Sequence, residues 1–216
     1  MRQSTEESPL PAIAALIATM AMQLAIPKHY TVVPRWPLIA LEILLILGLL
    51  ALRSGHSTRH PAFGRDTRLV LLTAITLDNT ASAILLDWDI LSGAIANKAS
   101  VLIGSGAAIF VTNVLVFGMW YWELDRGGPL ARANRERRYP DFMFPQLANP
   151  ELAAPDWTPT FVDYLYVSVT NVMAFSPTDT MPLTRWAKSL MSLQAFVAVS
   201  TLALVFARAV NVLGSG

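Results

Sequence analysis

The sequence predicts an all-α integral membrane protein: five transmembrane helices, plus one short helix that dips into the membrane and returns or crosses it as a sixth short span. Three observations predict this. Of the 216 residues, 54% are hydrophobic and 14% charged, and the mean hydropathy is +0.46, more apolar than an average soluble domain. Five apolar stretches are long enough to approach the ~30 Å hydrocarbon core of a bilayer. All six tryptophans, at 36, 88, 120, 122, 157 and 186, fall at or near the ends of those stretches, where a membrane interface concentrates them.

The first stretch runs from Leu10 to Ile26 and stops at Pro27-Lys28-His29-Tyr30. The residues before it lack the basic region of a signal peptide, so it is expected to stay as a span. The second runs from Trp36 to Leu52, opened by Pro37 and closed by Arg53; the third, Leu69 to Leu86, lies between Arg68 and Asp87-Trp88-Asp89. The fourth, Ala99 to Trp122, carries Ser100, Gly104 and Ala108 at four-residue spacing, with Gly106 between them. Small residues so spaced let helix backbones approach closely in lipid, and packing within the chain is favoured over a dimer seam. Residues 1–122 thus form a four-helix transmembrane region.

Residues 123–157 form a polar loop rich in Pro, Gly and Arg, with arginines at 126, 132, 135, 137 and 138. It reads as an ordered but irregular surface loop, not a second domain. Gly127-Gly128-Pro129 is a turn, because no helix opening with Lys-Ser/Thr follows it as a phosphate loop requires.

Residues 158–212 are the stretch around which the rest is arranged. Thr158 suits an N-cap, Pro159 the first helical position, and Asp163 the positive end of the helix dipole. The helix is expected to end near Ala174, before Ser176-Pro177. About 15 residues at 1.5 Å give roughly 22 Å, short of a full crossing. A hydroxyl-rich turn follows, then the fifth span from about Ser189 to Val212. A short helix, a polar turn and a full-length helix are the parts of a pore loop, and irregular backbone at membrane depth needs protein or a wet cavity around it.

Several chemistries are set aside. There are no cysteines, which removes disulfides, thiolate metal sites and cysteine nucleophiles. His56 and His60 have a spacing that binds metal on a helix, but Ser57-Thr58-Arg59 between them and Pro61 after them indicate a loop, and His29 sits in a turn; no metal site or cofactor is expected. No catalytic motif with usable spacing occurs, so no enzyme is expected. A net charge of +1 with no basic stripe gives no reason to expect nucleic acid. Glu42 and Asp78 fall inside predicted spans, where an unpaired carboxylate points to function. Glu42 is about six residues from Trp36, near an interface. Asp78, followed by Asn79-Thr80, lies nearer mid-span and either lines a wet cavity or is neutral and paired in packing. Asn113 and Asn171 read as interhelical hydrogen-bonders, Asp87 and Asp89 as a solvated helix end.

The segment Ser168-Val-Thr-Asn-Val-Met-Ala-Phe-Ser-Pro-Thr-Asp-Thr-Met-Pro-Leu-Thr184 resembles the pore helix and filter of tetrameric potassium channels, and Gln194 to Arg208 resembles their inner helix. In that superposition Ser168, Thr170, Asp179, Pro182 and Thr184 fall on family counterparts, and the fourth span on the outer helix. The resemblance implies a homo-oligomer, a tetramer by analogy, in which Ala174, Phe175, Ser176, Pro177, Thr178, Asp179 and Thr180 line the ion pathway. The filter departs from the family pattern: its Thr-Val-Gly-Tyr-Gly falls on Ala174-Phe175-Ser176-Pro177-Thr178. Filter carbonyls replace the ion's hydration shell, and the glycines permit the angles that aim them inward; Pro177 fixes φ near −65° instead. Classical potassium selectivity is therefore not expected. Hydroxyl or carbonyl oxygens of Ser176, Thr178 and Thr180, and a ring of Asp179 carboxylates, would meet a monovalent or divalent cation. Over most of its length the chain also resembles a family of bacterial membrane proteins without an assigned activity, sharing an Asp-Tyr-Leu-Tyr … Ser-x-Thr-Asp segment, which implies a multi-pass protein of the inner (plasma) membrane.

Topology pulls against this. Arg53, Arg59, Arg65 and Arg68 in one loop and five arginines in 123–160 share a side, which the positive-inside bias assigns to the cytoplasm, whereas a potassium-type pore loop enters from outside. A complete crossing by 160–177 would remove the conflict, helped by local thinning of the bilayer. Two other readings stand beside the channel: a non-conducting membrane scaffold with a vestigial pore loop that works through 123–160, and a carrier using Asp78 and Glu42 as a proton relay.

Overall fold

The computed structural model describes residues 8, 10–31, 34–53, 61–93, 99–155, 157–174 and 179–214. Eight α-helices occur among them: α1 (Leu10–Ala25), α2 (Arg35–Arg53), α3 (Pro61–Ser92), α4 (Ala99–Leu124), α5 (Pro129–Ala133), α6 (Pro145–Ala148), α7 (Phe161–Met173) and α8 (Arg185–Gly214). Two short strands, β1 (Phe142–Met143) and β2 (Met181–Pro182), pair antiparallel. Three helical stretches are long and apolar enough to cross a membrane: Arg65–Ser92 in α3, Ser100–Gly127 in α4 and the 3-10 turn that follows it, and Arg185–Val212 in α8; α1 is a shorter apolar helix of 16 residues.

α3, α4 and α8 are longer than their apolar stretches because polar flanks continue the helix. α3 begins at Pro61 and ends at Ser92, so Arg65, Arg68, Asp87 and Asp89 are all helical. Side-chain contacts set the directions. Arg68 near the start of α3 meets Glu123 at the end of α4, and the Trp120 indole donates to Thr76 Oγ1 at 2.8 Å. α3 and α4 are therefore antiparallel. Ala12 and Leu16 of α1 share a core with Trp122 and Phe161, whereas Ile26, just beyond α1, packs with Leu86 and Leu102. α1 thus runs from the end where α4 finishes to the end where it begins.

α4 is the central helix: α1, α3, α7 and α8 all pack on it. Two of its glycines permit the approach. A Cβ at Gly106 would lie 2.8 Å from Val205 Cγ2 of α8, and one at Gly118 would lie 3.2 Å from the Leu165 backbone of α7. Val205 is stiff at χ1 and has little room to turn aside. Of the small-residue seam read from sequence, Ala108 is buried at 1% exposure and Gly106 faces α8, whereas Gly104 has open space beside it. The close approach is within the chain.

The polar loop is a folded cap. A turn of 3-10 helix and α5 carry it from Leu124 to β1, and α6 and a second 3-10 turn carry it on towards α7. Gly127 and Gly128, at φ of 90° and 100°, make the turn the sequence predicts, and Pro129 opens α5. Phe142 and Phe144 are buried in the main core beside Tyr121, Tyr164 and Trp186, with ring centroids 5.1–6.2 Å apart. Such edge and tilted ring contacts add about 0.5–1.5 kcal/mol per pair beyond area burial.

Candidate functional site

α7 opens with a capping box. The Thr160 N–H and hydroxyl both donate to Asp163 Oδ2, at 2.7 and 2.9 Å. The N-cap is therefore Thr160, two residues later than expected at Thr158, because the acidic partner must stand three residues ahead. The helix is 13 residues long, about 20 Å at 1.5 Å per residue. Its start touches the end of α4, with Trp122 and Phe161 rings 5.9 Å apart. Midway along, Ser168 Oγ donates to the Val114 carbonyl at 2.6 Å, and Val172 packs on Val114 and Ala198. After Ala174 the chain comes back. β2 pairs with β1, and the Leu183 N–H donates to the Asp141 carbonyl at 2.8 Å. α8 then starts beside Phe142 and follows the direction of α7, Met191 and Gln194 facing Asn171 and Val205 reaching Gly106. The chain thus descends along α4, returns to the level of its end, and descends again.

A buried polar knot holds the entrance. Asp125 is fully buried, and its carboxylate accepts from the Asp141 N–H (2.7 Å), the Phe142 N–H (3.3 Å), the Tyr164 hydroxyl (2.6 Å) and Arg126 Nε (3.2 Å). Asp141 accepts in turn from the Arg126 N–H at 2.8 Å and the Trp186 indole at 2.9 Å. The Arg132 guanidinium donates to the carbonyls of Trp122 and Asp125 and lies 4.9 Å over the Tyr164 ring. Beside it, Arg68 Nε and NH2 donate to Glu123 Oε1 at 3.0 and 2.7 Å, both groups buried. Arg68, Arg126 and Arg132, three of the arginines behind the topology argument, are therefore structural.

A second knot lies deeper, at Gln194. Its Oε1 accepts from the Tyr121 hydroxyl (2.6 Å) and Asn171 Nδ2 (2.9 Å), while its Nε2 donates to Ser168 Oγ (2.6 Å) and the Ser168 carbonyl (3.2 Å). Asn171 Nδ2 also reaches the Met191 carbonyl at 2.9 Å. One fully buried amide thus ties α4, α7 and α8 together. Asn171 is the interhelical bonder expected; Ser168 shares its role, while Thr170 bonds back to its own helix. Sequence reasoning passed over Gln194, Tyr121, Asp125, Asp141 and Tyr164 as site-forming residues. The one available signal was a neutral amide inside an apolar run.

Of the proposed ion pathway, Phe175, Ser176, Pro177 and Thr178 lie outside the described residues. Ala174 and Asp179 flank them and are exposed in the single chain; Thr180 is buried, its hydroxyl 3.3 Å from Asp179 Oδ1. His56 and His60 also lie outside the described residues, and among the described ones no group of three or more His, Cys, Asp or Glu is placed to hold a metal. His29 is not isolated: Nε2 lies 2.7 Å from Asp89 Oδ2.

Glu42 and Asp78 are both buried, at 0% and 7% exposure. Gln23 Nε2 of α1 donates to Glu42 Oε1 at 3.0 Å, and Asp78 lies on α3, which packs on α2. Glu42 is thus buried inside the bundle, paired with α1. Asn113, expected to bridge helices, is 1% exposed with neither amide atom hydrogen-bonded.

No family model, curated protein or solved structure matches the chain. Any functional reading therefore rests on the residues and their geometry.

Proposed function

We propose that the chain is a multi-pass membrane protein whose copies assemble around a cation-conducting pore, with residues 174–180 as its constriction. Five helices, α1, α2, α3, α4 and α8, cross the bilayer, and α7 enters it and returns. The observation that carries the reading is the shared direction of α7 and α8, joined by a segment that climbs back to β1. α7 is too short to cross a ~30 Å core, and residues 179–184, which pair with β1 and lead into α8, include non-helical backbone that needs protein or water around it at membrane depth. In an assembly with a central axis, that backbone and Asp179 would face one another across a wet centre. The oxygens of Ser176 and Thr178 would meet the ion, while Thr180 is buried, and Asp179 repeated by symmetry would concentrate cations electrostatically.

The outward side of α8 supports an assembly. Leu193, Phe196, Val199, Phe206 and Val210 are exposed along it, as are Tyr166, Val169 and Met173 on α7. Lipid covers whatever part of this surface neighbouring copies do not. The docked cap favours the pore over the scaffold reading, because its buried side chains brace α7 and α8 and are not free for a partner.

The test is cation flux into liposomes, with oligomer mass in mild detergent measured on the same preparation. The expected result is an oligomer whose flux falls about tenfold in Asp179→Asn, the equivalent of ~1.4 kcal/mol at the constriction. A monomeric particle, or unchanged flux in the variant, removes the pore.

A further inference from the structure

α1, α2, α3 and α4 carry a second set of buried polar side chains, apart from the Asp125 and Gln194 knots. Met22 and Ile26 pack with Ala83 and Ile109 in one apolar layer. Gln23, Asn79, Ser82, Thr112 and Asn113 each lie within one helical turn of that layer, and Gln23 ties Glu42 of α2 to it. Asp78, one residue before Asn79, is buried on α3, which packs on α2. Six oxygens here are buried with no hydrogen-bond partner among the described residues: Glu42 Oε2, Asp78 Oδ1, Asn79 Oδ1, Ser82 Oγ, Thr112 Oγ1 and Asn113 Oδ1. Buried polar atoms in folded proteins are paired in nine cases of ten or more, so these six oxygens on α2, α3 and α4, with Asn113 Nδ2 also unpaired, point to a partner that the described residues do not supply.

The chemistry of that partner follows from charge. No Lys, Arg or His occurs in 10–26, 36–52, 69–92 or 99–122, so these helices supply no positive charge within their apolar stretches to balance two carboxylates. Removing charge from water without a counter-charge costs several kcal/mol per ion. Carboxylate, amide and hydroxyl oxygens, with no sulfur and no imidazole, are the ligands of hard inorganic cations.

We propose that Glu42 and Asp78, with Asn79, Ser82, Thr112 and Asn113, form an oxygen-lined site for one inorganic cation within the bundle α1–α4, separate from the pore constriction. Glu42 and Asp78 supply the charge; the amide and hydroxyl oxygens replace hydration. Gln23 is a positioning residue that fixes the Glu42 carboxylate.

The test is thermal unfolding of the full chain in mild detergent, with choline chloride exchanged for sodium, potassium, magnesium or calcium chloride at constant ionic strength. Ligand binding to the folded state raises Tm by mass action. One cation should raise it by about 5 °C at a hundredfold excess over its dissociation constant. Glu42→Gln and Asp78→Asn should lose the shift, and Asp179→Asn should keep it. The site is overturned if no inorganic cation acts beyond choline, if both variants respond like the wild type, or if acidification alone stabilises, which would assign the carboxylates to protons. A measurement on the wild type covers variants that fail to fold. An apolar carbodiimide should modify Glu42 and Asp78, read by peptide mass spectrometry, and the stabilising cation should suppress it; equal modification with and without the cation counts against the site. Neither readout depends on conduction, so this site and the pore fail separately.

Discussion

Asp125→Ala is expected to destabilise the protein by about 4 kcal/mol, or to leave no folded particle after detergent extraction. The carboxylate is fully buried and collects four donors from four residues of the cap and α7. A hydrogen bond to a charged group contributes about 1.5–3 kcal/mol, and a buried donor left without its acceptor costs about 1–3 kcal/mol. These terms are not additive, because the cap relaxes once its centre is gone, and about 4 kcal/mol is the level at which breaking a buried charged network usually settles. Asp125→Asn separates charge from shape: one oxygen still accepts from the Asp141 N–H, while the amide NH2 opposes Arg126 or the Tyr164 hydroxyl. It should lie about midway. The measurement is the unfolding midpoint in detergent, followed by tryptophan fluorescence. A midpoint for Asp125→Ala within about 2 °C of the wild type, under ~1 kcal/mol at this chain length, would show that the cap does not hold α7.

Arg68→Met is the second large loss, about 3–5 kcal/mol, because it strands the Glu123 carboxylate in a buried position. Arg68 reaches only one oxygen, Glu123 Oε1, through both Nε and NH2, so the pair is specific in geometry as well as charge. Arg68→Lys should recover only part of the loss, since an ammonium is a point charge without the guanidinium fork. The informative variant is the double one. Replacing both members of a buried pair by neutral groups of similar volume is often close to harmless, so Arg68→Met with Glu123→Gln should regain most of the lost stability. A double variant as unstable as the single one would assign the loss to packing of the Arg68 stem.

The long helices were legible because hydropathy reports what faces lipid or core. α1 and α2 end within one residue of their apolar stretches, while α3 overruns its stretch at both ends, since Arg65, Arg68, Asp87 and Asp89 continue the helix without being apolar. The shortness of α7 was legible from Ser176-Pro177. Its cap was misplaced by two residues because Thr158-Pro159-Thr160 offers two candidate threonines, and only Asp163 at the right spacing decides. The return of the chain was not legible. β1 and β2 are two residues each, nearly forty apart, and two residues carry no period. The Asp125 and Gln194 knots were hidden for the same reason: apart from Arg126 beside Asp125, their partners lie 16 to 73 residues away. Glu42 and Asp78 stood out as charges in apolar runs, whereas Asn79, Ser82 and Thr112 joined them only through helix packing.

The pore reading rests on residues 139 and 183 lying on one face of the membrane, at the two ends of the α7 excursion. The chain has no cysteine, so Tyr139→Cys and Leu183→Cys can be made singly; both positions are exposed, at 76% and 45%. Labelling with a membrane-impermeant maleimide, in sealed vesicles of known orientation and again after permeabilisation, reads the side directly. Both cysteines should react from the same side. Reaction from opposite sides would make α7 a sixth span and contradict the account.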